Sequence, residues 1–170
     1  MSEEKSDHKS TGKQPSASTQ LAGVEKWAYD TFNTNNPVKL PEGARKWIAE
    51  NVWWLAAIGG VLTLISAISM WSMLHSDYSA IGVVYLSLWW YIWLAITVVE
   101  GVVLLIAVQK LKTMQKAGWN LLFYLSLLAI VLGIVSALTP SNGVGSLIGT
   151  AVSVAISWTI LMQIRDKFKS

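Results

Sequence analysis

The chain has 170 residues, of which 53% are hydrophobic and only 14% are charged, with a net charge of +3. A soluble domain of this size would carry about a quarter charged residues, so the composition indicates a membrane protein. The chain has no cysteine. Disulfide frameworks, thiolate zinc sites, iron–sulfur clusters and thiol catalysis are therefore excluded. The ten tryptophans also suit a membrane protein, because the indole ring favours the interface between lipid and water.

The N-terminal part of the chain is polar. Residues 1–20 are rich in Ser, Thr, Lys and Glu, and we expect a disordered cytoplasmic tail because almost nothing in them can be buried. Residues 21–51 are expected to form a cytoplasmic or interfacial amphipathic segment. Apolar residues from Leu21 to Phe32 recur at helical spacing, which predicts a short helix lying on the membrane or against a partner. Pro41 suits the first position of the next helix.

Residues 52–170 contain four apolar runs, each near the roughly 20 residues that a helix needs to cross a bilayer. The pattern predicts an all-α integral membrane protein, a four-transmembrane-helix bundle with an N-terminal cytoplasmic extension. Residues 78–88 either belong to a long tilted second span or form an outer helical extension, which tryptophan placement slightly favours. The predicted spans are residues 52–73, 85–108, 119–138 and 144–162.

Lysine and arginine flank alternate ends of these spans, and the other two loops carry none. By the positive-inside rule both termini are expected in the cytoplasm, with the chain multi-pass in the cytoplasmic (inner) membrane. The loop between spans two and three is expected to meet anionic lipid headgroups, or to do no more than set the topology. Its basic residues are Lys110, Lys112 and Lys116.

Small residues form stripes along several spans. They predict close helix packing, since helices in lipid associate through small side chains. Packing within the bundle is favoured, and contact with a second copy of the chain or another membrane protein is the alternative. The residues expected at these contacts are Gly145, Gly149, Ser153 and Ser157 in span four, Gly59 in span one and Gly133 in span three.

Glu100 is the only carboxylate inside the predicted spans, and it lies near the middle of span two. An unpaired carboxyl group in hydrocarbon is expected to be neutral at pH 7, because burial disfavours the charged form. Such residues usually face the bundle interior and mark a functional site. We expect it either to clamp helices through a hydroxyl of Thr63, Ser66, Ser126, Ser153 or Ser157, or to exchange a proton. Trp89, Trp90, Tyr91 and Trp93 would then form an aromatic approach for a cation.

Other chemistry finds no support in the sequence. Glu100 has no second acid within the spans, the membrane part has no histidine, and there is no nucleophile elbow or phosphate-binding loop. No metal, cofactor or nucleic-acid site is expected, and the chain is not expected to be an enzyme. The composition favours a non-catalytic scaffold, assembly or accessory subunit. The alternative is a proton-coupled transporter of small or cationic solutes that uses Glu100.

Overall fold

The computed structural model describes residues 16–75, 84–137 and 143–169. In these ranges the chain is helical apart from short connections, and the only β-pairing is an isolated bridge between Gln115 and Lys169. A π-helical turn follows the first helix, and a 3-10 turn, Arg165–Lys167, follows the last. The helices are α1 (Ala17–Tyr29), α2 (Glu42–His75), α3 (Val84–Lys112), α4 (Lys116–Ala137) and α5 (Gly143–Ile164).

Four of these helices are long and apolar enough to cross a membrane, which confirms that part of the prediction. Many of their large apolar side chains are exposed, as expected for helices that face lipid. These features suggest a membrane protein. Residues 84–88 continue into the second of these helices without a break, whereas residues 78–83 lie outside the described ranges. The four segments are Glu42–Leu74, Trp90–Lys112, Lys116–Ala137 and Ile148–Lys167.

Consecutive helices pack antiparallel. The backbones of α2 and α3 approach closely at Gly60 and Gly101, where a methyl group on Gly60 would lie 3.1 Å from the carbonyl oxygen of Gly101. In lipid, such close backbone approach is what holds helices together. Gly133 of α4 packs instead against the side chain of Thr150 of α5. Helix α5 also contacts α2, so the four helices form a bundle rather than a row.

One end of the bundle is well packed and basic. We call it the basic end; it comprises the start of α2, the turn between α3 and α4, and the end of α5. The largest fully buried side chains, among them Trp119, Phe123 and Met162, lie there. The indole of Trp119 donates a hydrogen bond of 2.8 Å to the carbonyl oxygen of Leu161. The antiparallel helices are therefore fixed most firmly at this end.

The turn between α3 and α4 explains why the reversal is so tight. The amide of Gln115 donates to the carbonyl of Lys110, and the amide of Met114 donates to that of Leu111, which is the Schellman pattern at a helix end. Met114 has a φ of 55°, a left-handed conformation usually taken by glycine. Its carbonyl accepts a 2.9 Å hydrogen bond from the amide of Lys169. The turn thus holds the C-terminal residues against α4.

The N-terminal segment folds back onto α5. Helix α1 begins at Ala17, before the predicted start at Leu21, because the Ser16 side chain caps its first turn. The ring of Phe32 meets that of Trp158 edge to face at 5.6 Å. Helix α1 therefore packs against the same chain, while Leu21 and two neighbouring apolar side chains remain exposed. Residues 1–15 of the predicted tail lie outside the described ranges.

Polar contacts complete this attachment, which we call the latch: residues 25–42 held against residues 159–167. The buried Gln163 side chain accepts from the amide of Leu40 at 2.7 Å and donates to the carbonyl of Val38 at 2.8 Å. Arg165 donates to Glu25 at 2.6 and 2.9 Å. Lys167 pairs with Glu42, Tyr29 with Asp166, and Asn36 with Thr159. Helix α2 begins at Glu42, one residue after Pro41.

Candidate functional site

Glu100 lies on the side of α3 that faces α4 and α5. The next residue, Gly101, packs against Gly60 of α2. Successive residues on a helix are turned by about 100°, so Glu100 points away from that contact. Its side chain is half-buried and lines two adjoining cavities. The carboxyl group is therefore placed inside the bundle, at the junction of three helices.

The first cavity is the more polar of the two, and we call it the hydroxyl lobe. It has a volume of about 530 Å³ and lies between α3, α4 and α5. It extends from Glu100 away from the basic end, as far as Trp93 and Ser136. The exposed Ser153 and Ser157 lie along its side. Its polar lining consists of Glu100, Ser126, Ser136, Thr150, Ser153 and Ser157.

The second cavity is apolar, and we call it the aliphatic lobe. It has a volume of about 340 Å³ and runs from Glu100 toward the basic end, where Leu161 and Ile164 belong to the buried core. Glu100, Ser126 and Ser157 line both lobes, so the carboxyl group lies where they meet. The other side chains of this lobe are Val52, Leu104, Leu122, Leu125, Ala129, Ile160, Leu161 and Ile164.

The polar groups of the hydroxyl lobe are largely unpaired. Among the described residues, Glu100 makes no hydrogen bond or ion pair, and neither do the hydroxyl groups of Thr150, Ser153 and Ser157. Ser126 is occupied, since it donates to the carbonyl of Phe123 and accepts from the indole of Trp158, and Ser136 also has a partner. The residues that α2, α4 and α5 contribute to the two lobes include no other ionisable side chain. A single carboxyl group thus dominates the electrostatics of the site.

Of the hydroxyl partners predicted for Glu100, the structure brings three to it. Ser126, Ser153 and Ser157 share its cavity, although none forms a hydrogen bond with it. Thr63 and Ser66 on α2 line neither lobe, and Ser66 donates instead to the carbonyl oxygen of Leu62 in its own helix. The predicted helix clamp through a hydroxyl is therefore absent from the described contacts of Glu100.

Of the four aromatic residues predicted to approach Glu100, Trp93 lines its cavity. Trp93 lines the hydroxyl lobe because it lies two helical turns before Glu100, on the same face of α3. Trp90 and Tyr91 lie on other faces of α3 and are exposed. The side chain of Trp89 is outside the described part of the structure.

The predicted packing stripe of α5 is mostly not in contact with another helix. A methyl group added to Gly149 would meet nothing within 4 Å, and Ser153 and Ser157 are exposed beside the cavity. Gly133 does pack tightly, against Thr150. In α2 the close approach is made by Gly60, whereas a methyl group on Gly59 would come no nearer than 3.9 Å to Leu104. The surroundings of Gly145 are outside the described part.

The three loop lysines lie at the basic end in different settings. The ammonium group of Lys112 lies 5.2 Å from the centre of the Trp53 ring. The backbone amide of Lys116 donates to the carbonyl of Lys169. Lys110 lines a separate cavity of about 590 Å³ together with Gln109 and Thr113. Contact of these lysines with lipid headgroups remains a prediction.

Two residues of the site were not predicted from the sequence. Thr150 and Ser136 both line the hydroxyl lobe. Their hydroxyl groups within apolar runs were the available signal, since Thr150 follows Gly149 of the recognised stripe and Ser136 lies ten residues after Ser126. The latch residue Gln163 was also missed, although an amide near the end of an apolar run is a comparable signal.

The site offers oxygen atoms to a ligand and no cation. A carboxyl group and hydroxyl groups can accept hydrogen bonds from an ammonium group, and the carboxylate can balance its charge. Comparisons of this chain with known protein families, with curated proteins and with solved structures find no match. The function is therefore inferred from the chain's own side chains, which bring a carboxyl group and several hydroxyl groups to one cavity.

Proposed function

We propose that this protein binds a small monovalent organic cation at Glu100 and exchanges it for a proton across the cytoplasmic membrane. The observation that carries the proposal is the unpaired Glu100 carboxyl group where two cavities between the four apolar helices meet. Cavities of a few hundred Å³ with a few convergent polar groups are the usual form of a small-molecule site.

The proposal includes an orientation. The lysine and arginine residues that flank the four helices cluster at the basic end, whereas the connections at the other end, residues 76–83 and 138–142, carry none. By the positive-inside rule the basic end lies in the cytoplasm together with both termini. The hydroxyl lobe then leads from Glu100 toward the outer face.

Charge balance explains why release of the proton from Glu100 would be coupled to binding of the cation. With a proton on Glu100 the empty cavity is neutral, which hydrocarbon surroundings favour because an unpaired charge there is costly. Binding of a cation to the protonated site would leave a net positive charge, and loss of the proton alone would leave a negative one. When the carboxyl O–H bond breaks, the proton leaves to water and the carboxylate pairs with the cation. The cavity stays neutral throughout.

The exchange can be measured with purified protein in liposomes that contain a pH-sensitive dye. Hexyltrimethylammonium is a suitable probe, because a quaternary cation has no free base that would carry protons through lipid. With the membrane potential held at zero, addition of the probe outside is expected to make the lumen alkaline. Glu100→Gln should abolish this signal, since an amide cannot release a proton.

Glu50→Gln is the matched control, since Glu50 is an exposed acid of α2 that pairs only loosely with Lys46 at 3.9 Å. It should leave the exchange rate unchanged. A folded Glu100→Gln protein with wild-type exchange would refute the proposal, and so would wild-type protein that gives no signal.

A second candidate function, an assembly or accessory subunit, is favoured by a different observation. Leu21, Val24 and Trp27 of α1 remain exposed at the basic end although α1 is attached to α5. We expect a photo-crosslinker at position 27 to attach one defined partner, and one at the exposed Val38 to attach none. The crosslink should survive Glu100→Gln under this function. Loss of the crosslink in that variant would count against it.

A further inference from the structure

The two lobes that meet at Glu100 differ in their lining, and this difference defines a class of ligand. The hydroxyl lobe offers the unpaired hydroxyl groups of Thr150, Ser153 and Ser157, while the aliphatic lobe is lined mainly by branched apolar side chains. A ligand that fills both must be polar at one end and apolar at the other. Because Glu100 is the one ionisable group among the described residues that line the two lobes, the charged group of the ligand must be a cation.

We propose that the ligand is an amphiphilic organic cation whose charged nitrogen lies against Glu100 and whose hydrocarbon chain occupies the aliphatic lobe. The polar head then lies in the hydroxyl lobe beside Ser153 and Ser157, and Trp93 offers an aromatic ring further along that lobe. This inference rests on the proposed exchange function and adds the substrate class. A small hydrophilic cation would leave the aliphatic lobe empty.

The aliphatic lobe also explains the direction in which the ligand lies. The lobe ends at Leu161 and Ile164, which belong to the buried core of the basic end. The latch holds this part of the chain through Gln163 and Arg165, on either side of Ile164. The hydrocarbon chain therefore points toward the cytoplasm in the proposed orientation, toward the buried core of the basic end, while the head remains on the hydroxyl side.

The test must separate binding in the lobe from partition of the chain into lipid. Each methylene moved from water to an apolar environment raises affinity by about fourfold in either place. Ile160 lines only the aliphatic lobe, and Ile156 lies one turn earlier on α5, is exposed and lines neither lobe. Ile160→Phe and Ile156→Phe are thus a matched pair, since both add the same volume to the same helix.

Exchange is measured in the same liposomes with tetramethylammonium and with hexyltrimethylammonium. In Ile160→Phe we expect the concentration for half-maximal exchange to rise at least tenfold for the hexyl probe and by less than twofold for tetramethylammonium. Ile156→Phe should change neither value. Retained tetramethylammonium exchange shows that the variant is folded. Partition of the hexyl probe into lipid affects both variants and wild type equally, because all are measured in one lipid composition.

The outcomes distinguish this inference from the function on which it rests. If the ratio between the two probes is the same in Ile160→Phe and wild type, the chain lies in lipid and the substrate class is wrong, although exchange stands. If wild-type protein exchanges neither probe, the proposed function itself fails.

Finally, the chain has no cysteine, so Ser153→Cys provides a clean crosslinking site. Efficient disulfide formation between two such copies in native membranes would place a second copy over the cavity and overturn the ligand assignment.

Discussion

Replacement of Gln163 by methionine is expected to release the segment before α2 from α5. The two side chains have similar length, but methionine can neither accept from the amide of Leu40 nor donate to the carbonyl of Val38. Each hydrogen bond contributes about 1 kcal/mol, so local opening should become easier by about 2 kcal/mol, which corresponds to roughly 30-fold. The effect should be local, because the helix packing of α5 through Trp158 and Leu161 is retained.

Limited trypsin digestion measures this opening directly, since Lys39 lies within the segment that Gln163 holds. When opening is fast relative to cleavage, the cleavage rate follows the population of the open form. We expect cleavage after Lys39 to be about 30-fold faster in Gln163→Met, with cleavage after Lys110 unchanged. Gln109→Met is the control, because Gln109 is an exposed residue of α3. An increase below threefold, or an equal increase in the control, would refute the reasoning about these two hydrogen bonds.

Three other residues, at the basic end and in α5, give further predictions. Gly118→Ala should lower the unfolding free energy by about 1–3 kcal/mol, since the new methyl group would meet the backbone amide of Leu111 at 2.7 Å. Gly149→Ala, with nothing within 4 Å, should leave it unchanged or raise it by up to about 1 kcal/mol in an SDS titration. Desolvation and the hydrogen bond to Asp166 raise the pKa of Tyr29 above its usual value of 10.0. The contribution of protonated Tyr29 to stability is therefore complete below pH 10 and is lost as the pH rises through the pKa of the folded state. The titration of Tyr29 is obtained by subtracting the absorbance of Tyr29→Phe at 295 nm from that of wild type. A midpoint at the usual tyrosine pKa would contradict this prediction.

The helices could be predicted from the sequence because length and apolar content alone define a membrane-crossing segment. Helix α4, for example, runs from Lys116 to Ala137, against a predicted span of residues 119–138. The rotation of each helix could not be predicted in the same way. In lipid both the outer face and the packed face of a helix are apolar, so no periodic pattern shows which residues turn inward. The convergence of Thr150 and Ser136 with Glu100 therefore had to come from the structure.

The latch was beyond prediction for a different reason. Its contacts join residues far apart in the chain, such as Glu25 with Arg165 and Leu40 with Gln163. The amphipathic pattern of α1 indicated that its apolar face would be covered, but a membrane surface, a partner and the chain's own α5 all satisfy that pattern. In the structure α1 and the turn after it pack on α5 through contacts of Trp27 and Phe32 with Trp158. The local sequence does not specify contacts between residues so far apart.

Helix α5 connects the two features that the structure adds. It carries Thr150, Ser153 and Ser157, which line the hydroxyl lobe. About two to four turns further along, it carries Gln163, whose side chain binds the segment before α2. Glu100 on α3 is fixed separately, by the close contact of Gly101 with Gly60 of α2. The carboxyl group and the hydroxyl groups thus belong to two differently anchored helices. Any movement of α5 relative to α3 would change the distance between them, and in the proposed exchange that distance sets whether Glu100 favours a proton or a cation.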